Sequence, residues 1–540
     1  MLEPESTKEH KSFPDVLILL LLCAGALFLR WYRLDVISFR YDTADALFRA
    51  REIARGHWPL LGIVNSLGFH NPPGLPWAIL PALIVSPSPE VATAWFGLLT
   101  ITGILPIYGI CRSQIGRWSF LLPCSAYALM PNMVVAGRNI WAQWLMPAIF
   151  AWVLLFLIRA VLKGHRPLHD IGLALALTWI GLAVHLSGVV YLPLVLVCAA
   201  LAARRNSWSA AQIGKVLALG CLPALLLVPS VFDYFRTEGQ GTAQKPAHIE
   251  KFESLMPPPE PLLRRLQGSL SGEFNLFANT AQARDVPKHT ALLSGFTTAA
   301  KVTDGLLLLA ALVGVACAGM MLARGRGGAE LSSGFSGLLL AWIFVPTIIG
   351  CVFAPRANST YFTPAIPALL LSTALLPQLV AKKSRLRRVW LSSGVLATIA
   401  VVTVYMLFNV GLFRSIAASP VVQGQYYIPL KDQRAFAEVL AQRGVSQRRL
   451  THLSGEWFQR PYNYLLREVY QVPEVTAEPK WAVMEDVNLR TRQQARVKYF
   501  YSAATLHLDT VGAVLFDSAE RAKEFVDAYY RIPTEQNVAE

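Results

Sequence analysis

Apolar runs near or above the length that crosses a bilayer recur from one end of this chain to the other. They lie at roughly 15–30, 90–111, 118–136, 141–161, 169–184, 187–203, 213–232, 302–323, 332–353, 361–380 and 389–411. A chain built this way has little choice of fold. In lipid every backbone N–H and C=O must be satisfied internally, so the segments must be helices packed on one another. Composition agrees: 54% of the 540 residues are hydrophobic and 15% are charged, outside the balance of soluble domains.

Placement of the basic residues gives an expected orientation. Lys8 and Lys11; Arg112 and Arg117; Arg159, Lys163 and Arg166; Arg204, Arg205 and Lys215; Arg324 and Arg326; and Lys382 through Arg388 fall in alternate connections. The positive-inside rule assigns those connections to the cytoplasm. The N-terminus is then inside. The stretches at 38–81 and 233–301, the short connections around Arg138, His185 and Arg356, and everything after Phe413 face outward. The net charge of +15 is accounted for by this pattern, and nucleic acid is not an expected partner. The seven cysteines all fall in or beside apolar runs and read as small buried hydrophobes; no CxxC spacing supports a disulfide framework or a thiolate metal site. LLLLCAGA near the N-terminus resembles a cleavable or lipidated signal. Leu22 before Cys23 is too large for lipidation, and an uncleaved first helix is expected.

The expected fold is therefore an all-α polytopic membrane domain over 1–413, with about eleven transmembrane helices and juxtamembrane helices in the first outer loop. A small soluble α/β domain follows over 414–540. DQRAFAEVLAQRGV reads as a helix, WAVMEDVNL and VGAVLF as strands, and AERAKEFVDAYY as a terminal helix.

The loop at 38–81 is the richest in chemistry. On helical spacing Asp42, Asp45, Arg49 and Glu52 share one face, and Ala44, Leu47, Phe48 and Ala54 the other. That predicts a helix on the lipid–water boundary, apolar side down and charged side up. Asp42 there is suited to act as general base on a hydroxyl, to help hold a divalent ion, or to cap its helix. His57 lies further along the same loop. HNPPG places His70 and Asn71 before a stiff double-proline turn that opens PWAILPALIVS, read as a second juxtamembrane helix. Arg138 and Gln143 in GRNIWAQWLMP are placed to neutralise a phosphate and to hydrogen-bond a sugar or acceptor; interfacial snorkelling explains the arginine equally well. His185 sits at the tip of a helical hairpin, a structural or a ligand position. Arg264 and Arg265 in the second outer loop, with Arg356 and Tyr361 in PRANSTYFTPAIP, are candidates for a phosphate head group.

These features together resemble the GT-C glycosyltransferases, in particular protein O-mannosyltransferases and the aminoarabinose transferases of lipid A. The matching residues are Phe39, Asp42, Ala44, Gly56 and Trp58, then Pro72 and Pro73, the outer Arg138, the hairpin GLAVHLSG, and the run from Arg356 through Tyr361, Pro364 and Pro367. The resemblance spans about 15–410. It implies transfer of a sugar from a polyprenyl-phosphate donor to a hydroxyl on a lipid, glycan or protein acceptor, at the outer face of a bacterial inner (plasma) membrane. Asp42 would be the base, and inversion would follow from direct attack. Where relatives often have Asp-Glu in the first loop this chain has Asp42-Thr43, and Gln143 stands where many carry a second acid. Losing that carboxylate argues against a metal site, since a hard cation wants several oxygen ligands. No cofactor is required on this reading, and a divalent cation is left open. A secondary transporter would place ionisable groups and broken helices near the bilayer midplane; an inactive, lipid-binding relative is the other alternative.

Overall fold

The computed structural model describes residues 13–57, 61–63, 71–164, 166–232, a few positions between 261 and 270, 291–323, 330–353, 359–375, 384–418, 428–453, 456–473, 480–486, 506–508 and 511–531. In chain order the helices are α1 (Phe13–Trp31), α2 (Tyr41–Ala54), α3 (Gly74–Val85), α4 (Pro89–Ile101), α5 (Ile104–Ile110), α6 (Leu121–Leu129), α7 (Pro131–Ala136), α8 (Ala142–Ile158), α9 (Pro167–Val184), α10 (Leu192–Arg205), α11 (Ala210–Cys221), α12 (Ala291–Ala323), α13 (Glu330–Phe353), α14 (Ile366–Thr373), α15 (Ser384–Ala418), α16 (Leu430–Gln442), α17 (Glu456–Tyr464) and α18 (Ala519–Arg531). Local chemistry sets several starts. Ser88 accepts from the Glu90 amide with Pro89 in the first helical position of α4, and Ser209 with Gln212 forms a reciprocal cap on α11.

Among the described residues nine helical segments are long and apolar enough to cross a membrane. Their outward faces are as apolar as their inward ones: Leu219 is 72% exposed, Leu396 67% and Leu306 61%. Such surfaces are stable only in lipid, and the chain is a polytopic membrane protein. They coincide with nine of the eleven expected runs, and the other two are broken. The runs at 118–136 and 361–380 are not single long helices. The first breaks at Met130, before Pro131, into α6 and α7; the second is a 3-10 segment, Ser359–Ala365, running into α14 with Pro364 and Pro367 at the junction. Proline cannot continue an i to i−4 ladder. The breaks are tolerated because almost every side chain of α6, α7 and α14 is buried in protein rather than facing lipid.

Arg30 shows how one break is repaired. Fully buried at the end of α1, it donates from Nη1 to the carbonyl of Ala128 at 2.8 Å and from Nη2 to that of Met133 at 3.0 Å, one on each side of Pro131. Its Nε reaches Thr100 Oγ1 at 3.2 Å. At the opposite end of α1 the buried Asp15 is held by Arg112 and Arg117 from beyond α5.

The C-terminal segment forms a four-stranded sheet of order β1 (Leu450–His452), β2 (Trp481–Asp486), β4 (Val511–Phe516), β3 (Leu506–Leu508). β1 runs parallel to β2, with Leu450 opposite Ala482, and the other pairs are antiparallel, with Val483 opposite Val514. The expected helices and two longer strands are present; β1 and β3, three residues each, were too short to carry a periodic signal. α16 and α17 are fused to the membrane domain, and their buried side chains continue its core. Pro429 bridges to Ser38, the Leu430 amide donates to the Ile37 carbonyl at 3.1 Å, and Gln433 Nε2 donates to the Phe39 carbonyl at 3.1 Å. The last membrane helix, expected to stop near 411, runs on to Ala418.

Candidate active site on the first-loop helix

α2 forms where the loop pattern places it, but its surroundings differ from the expectation. The apolar side packs on α3 and the membrane core. The charged side does not face water, because α17 and the π-helical turn after it, Leu465–Val469, lie across it. Tyr464 inserts edge-on between Phe39 (ring centroids 5.7 Å) and Phe48 (5.1 Å) and donates to the Pro87 carbonyl at 2.7 Å. Around it runs a set of ion pairs. Arg460 Nη2 meets Asp45 Oδ1 at 2.5 Å, and Arg467 Nη2 meets Glu52 Oε1 at 2.7 Å. Glu468, 1% exposed, accepts from Arg51 Nε at 3.2 Å and from both terminal nitrogens of Arg55.

Asp42 stands outside this set. The N-cap of α2 is Arg40, whose side chain makes no capping bond and whose Nε instead donates to Ser38 Oγ. Asp42 is two positions into the helix, so it is not the cap. Among the described residues no hydrogen bond or ion pair reaches its carboxylate. Half-buried, it is pushed up to about 6, first by loss of hydration, then by the Asp45 carboxylate one turn on, with Arg40 opposing both. A carboxyl near neutrality, unpaired and reachable, can accept a proton from a bound hydroxyl.

The remaining candidates are distributed as follows. Asp45, 3% exposed, is clamped between Arg49 (2.7 Å) and Arg460 (2.5 Å), so it is a counter-ion rather than an open ligand. His57 lies beyond the far end of α2, roughly 20 Å from Asp42 at 1.5 Å per residue, 73% exposed and 3.3 Å from Glu52. It does not share a reacting centre with Asp42. Asn71 pairs backbone and side chain with the Ile63 carbonyl at 2.9 and 3.2 Å. Arg138 spends its terminal nitrogens on the carbonyls of Leu29, Arg30, Tyr32 and Arg33 and stacks over Phe413 at 3.8 Å. It closes the C-terminal end of α1, where orphan carbonyls concentrate negative charge, and that use explains its position better than snorkelling.

Gln143 and His185 do come together, Nε2 to Nε2 at 3.1 Å. His185 Nδ1 accepts from the Ser187 amide at 3.1 Å, so Nε2 carries the ring proton, and the Gln143 carbonyl oxygen belongs on the histidine side. Burial pushes His185 down to about 4, which keeps it neutral. Thr43 joins this pair to α2 loosely, with Oγ1 3.4 Å from the Ile140 carbonyl just ahead of α8. Arg264 is exposed in the second loop with no described contact to α2. His70, Arg265 and Arg356 lie outside the described residues, as does the side chain of Tyr361. Among the described residues no group of three or more His, Cys, Asp or Glu could hold a metal ion.

Arg460, Tyr464, Arg467 and Glu468 are the residues a loop-centred reading misses. The signal was present in GEWFQRPYNYLLREVY, where Arg460, Tyr464 and Arg467 recur at helical spacing with the complement of the charged face of α2.

The fold and the site define a class: a polytopic membrane protein whose first extramembrane helix carries a carboxylate unpaired among the described residues, roofed by a C-terminal α/β unit. No family model and no curated protein matches the sequence. Among solved structures the chain is similar to ArnT from Cupriavidus metallidurans bound to undecaprenyl phosphate, with 15% identity over 94% of this chain and 98% of that one and a TM-score of 0.52. It is also similar to the archaeal oligosaccharyltransferase AglB from Archaeoglobus fulgidus in complex with an inhibitory peptide and a dolichol-phosphate, with 13% identity over 91% and 71% of the two chains and a TM-score of 0.47. The chain thus shares the overall fold of that ArnT.

Proposed function

We propose that this protein is a membrane glycosyltransferase that moves a sugar from a polyprenyl-phosphate donor to a hydroxyl acceptor, with Asp42 as general base. One observation carries the reading: in a fold like that of an ArnT bound to undecaprenyl phosphate, Asp42 is half-buried, unpaired among the described residues and raised to about 6. In the proposed step the Asp42 carboxylate takes the proton of the acceptor hydroxyl as that oxygen bonds to the anomeric carbon. The bond from that carbon to the phosphate oxygen breaks, its electron pair leaves with the polyprenyl phosphate, and direct attack inverts the centre. Basic groups around the leaving phosphate would stabilise its charge, and Arg264, Arg265 and Arg356 remain the proposed sources. The alternation of basic connections supports an outer-face location for this chemistry, and a bacterial plasma membrane is the proposed setting.

The test is transfer from a panel of polyprenyl-phosphate sugars in membranes, wild type against Asp42→Asn. Transfer of one sugar by wild type and a loss of 100-fold or more in a folded Asp42→Asn protein is expected. Equal transfer by both discards Asp42 as the base. No transfer from any donor, with donors and acceptors of each class supplied, favours the inactive or transporter alternatives.

A further inference from the structure

The transferase reading leaves the C-terminal unit without a task, yet that unit delivers a guanidinium to within 2.5 Å of a carboxylate one helical turn from Asp42. We propose that Arg460 is a positioning residue for Asp42: by holding Asp45 in an ion pair against Arg49, it weakens the action of a second carboxylate on the base. The inference deepens the transferase reading and rests on it.

The geometry is specific. Asp45 uses one oxygen for Arg49 Nε, on its own helix, and the other for Arg460 Nη2, 415 residues later in the chain. The Arg460 guanidinium also lies over the Phe48 ring at 4.6 Å, and α17 is held on α2 by Tyr464, so its approach is fixed by packing as well as charge. Residues three apart on a helix are neighbours, and two carboxylates that close oppose each other's ionisation unless one is neutralised.

The charges around Asp42 can be enumerated among the described residues. Asp45 holds its proton on and Arg40 favours its loss; Arg49 and Arg460 act through Asp45. α3 carries no charge, and on the α8 side the titratable neighbour of Gln143 is the neutral His185. Arg467 and Glu468 are taken up further along α2 by Glu52, Arg51 and Arg55. Arg460 is thus the cation from outside α2 that offsets Asp45.

The experiment follows carbodiimide modification of Asp42, which requires a protonated carboxyl, against pH in the full-length detergent-solubilised protein, read by peptide mass spectrometry. Arg460→Gln should raise the midpoint by about 1 pH unit, Arg460→Lys should leave it near the wild-type value, and Asp45→Asn should lower it. The double variant Asp45→Asn/Arg460→Gln should match Asp45→Asn, because without the carboxylate the arginine has nothing to offset. An unchanged midpoint in Arg460→Gln, or a shift that persists in the double variant, overturns the proposal. If Arg460→Gln alone does not fold, Arg460→Met is read in its place: a raised midpoint supports the role and an unchanged one overturns it. Labelling needs no turnover. A protein that transfers no sugar yet shows these midpoints fails the transferase reading alone; one that transfers sugar without them discards the role of Arg460 alone.

Discussion

Arg55 forks onto Glu468, Nη1 2.9 Å from Oε1 and Nη2 2.7 Å from Oε2, across 413 residues of chain. The carboxylate is fully buried and also receives Arg51 and Arg467, while the arginines are about a quarter to two-fifths exposed. Four charges meet where the first and last thirds of the chain join. Replacing the acid leaves three cations with Glu52 alone between them in a partly dry contact, so Glu468→Gln is expected to cost about 2–4 kcal/mol after discounting for the exposed arginines. Thermal unfolding of the solubilised protein measures it, and protease should release the C-terminal unit earlier than in wild type. A change within ±0.5 kcal/mol would show that the tyrosine packing alone holds the join.

Asp42 should trade stability for chemistry. Its folded value of about 6 lies above the ordinary carboxylate range. A raised acid stabilises the fold fully below its unfolded value, and that contribution is lost as pH rises through the folded one. Wild type should therefore lose stability between about pH 4 and 6, while Asp42→Asn, neutral throughout, should not. At pH 7.5 the asparagine variant should unfold at the higher temperature and at pH 4 the gap should close. Transfer by wild type should climb through pH 6 and be absent from the variant.

The owner of that acidic limb can be separated from the neighbouring imidazole. His185 is pushed down to about 4 by burial and accepts at Nδ1 from the Ser187 amide, so it is neutral across the working range. His185→Asn should lower the rate, because the Gln143 contact is altered, without moving the limb near pH 6. A limb displaced by 1 pH unit or more would assign it to the histidine.

Much of this architecture is legible in the residues because hydrophobic length and charge alternation are local. α2, α3 and the long membrane helices follow from spacing alone, as do α16, α18 and the two longer strands. Proline was visible at Pro131, Pro364 and Pro367, yet apolar length suggested unbroken crossings there, because single-helix reasoning does not know that protein rather than lipid surrounds α6, α7 and α14. The charged face of α2 was correctly drawn and wrongly solvated. Asp45, Arg49 and Glu52 look like a surface until Arg460 and Arg467 arrive from more than 400 residues away. For Arg138 the residues left a phosphate ligand and interfacial snorkelling equally open, because nothing local shows that the C-terminal carbonyls of α1 are the nearer acceptors.

The buried arginine near the broken helix gives the sharpest packing test. A Cβ built at Gly137 would lie 2.5 Å from Arg30 Nε and 2.8 Å from Thr100 Oγ1. Arg30 cannot swing aside without giving up the carbonyls of Ala128 and Met133, and each orphaned buried carbonyl costs about 1–3 kcal/mol. Gly137→Ala adds a single methyl group, but its expected cost is about 2–4 kcal/mol, the overpacking and the lost bonds together. Arg30→Leu removes the donor outright and should cost at least as much. Combining the two should be markedly less than additive, since alanine at 137 has nothing left to displace. Additive losses in denaturant unfolding would mean that Gly137 acts through a contact other than Arg30.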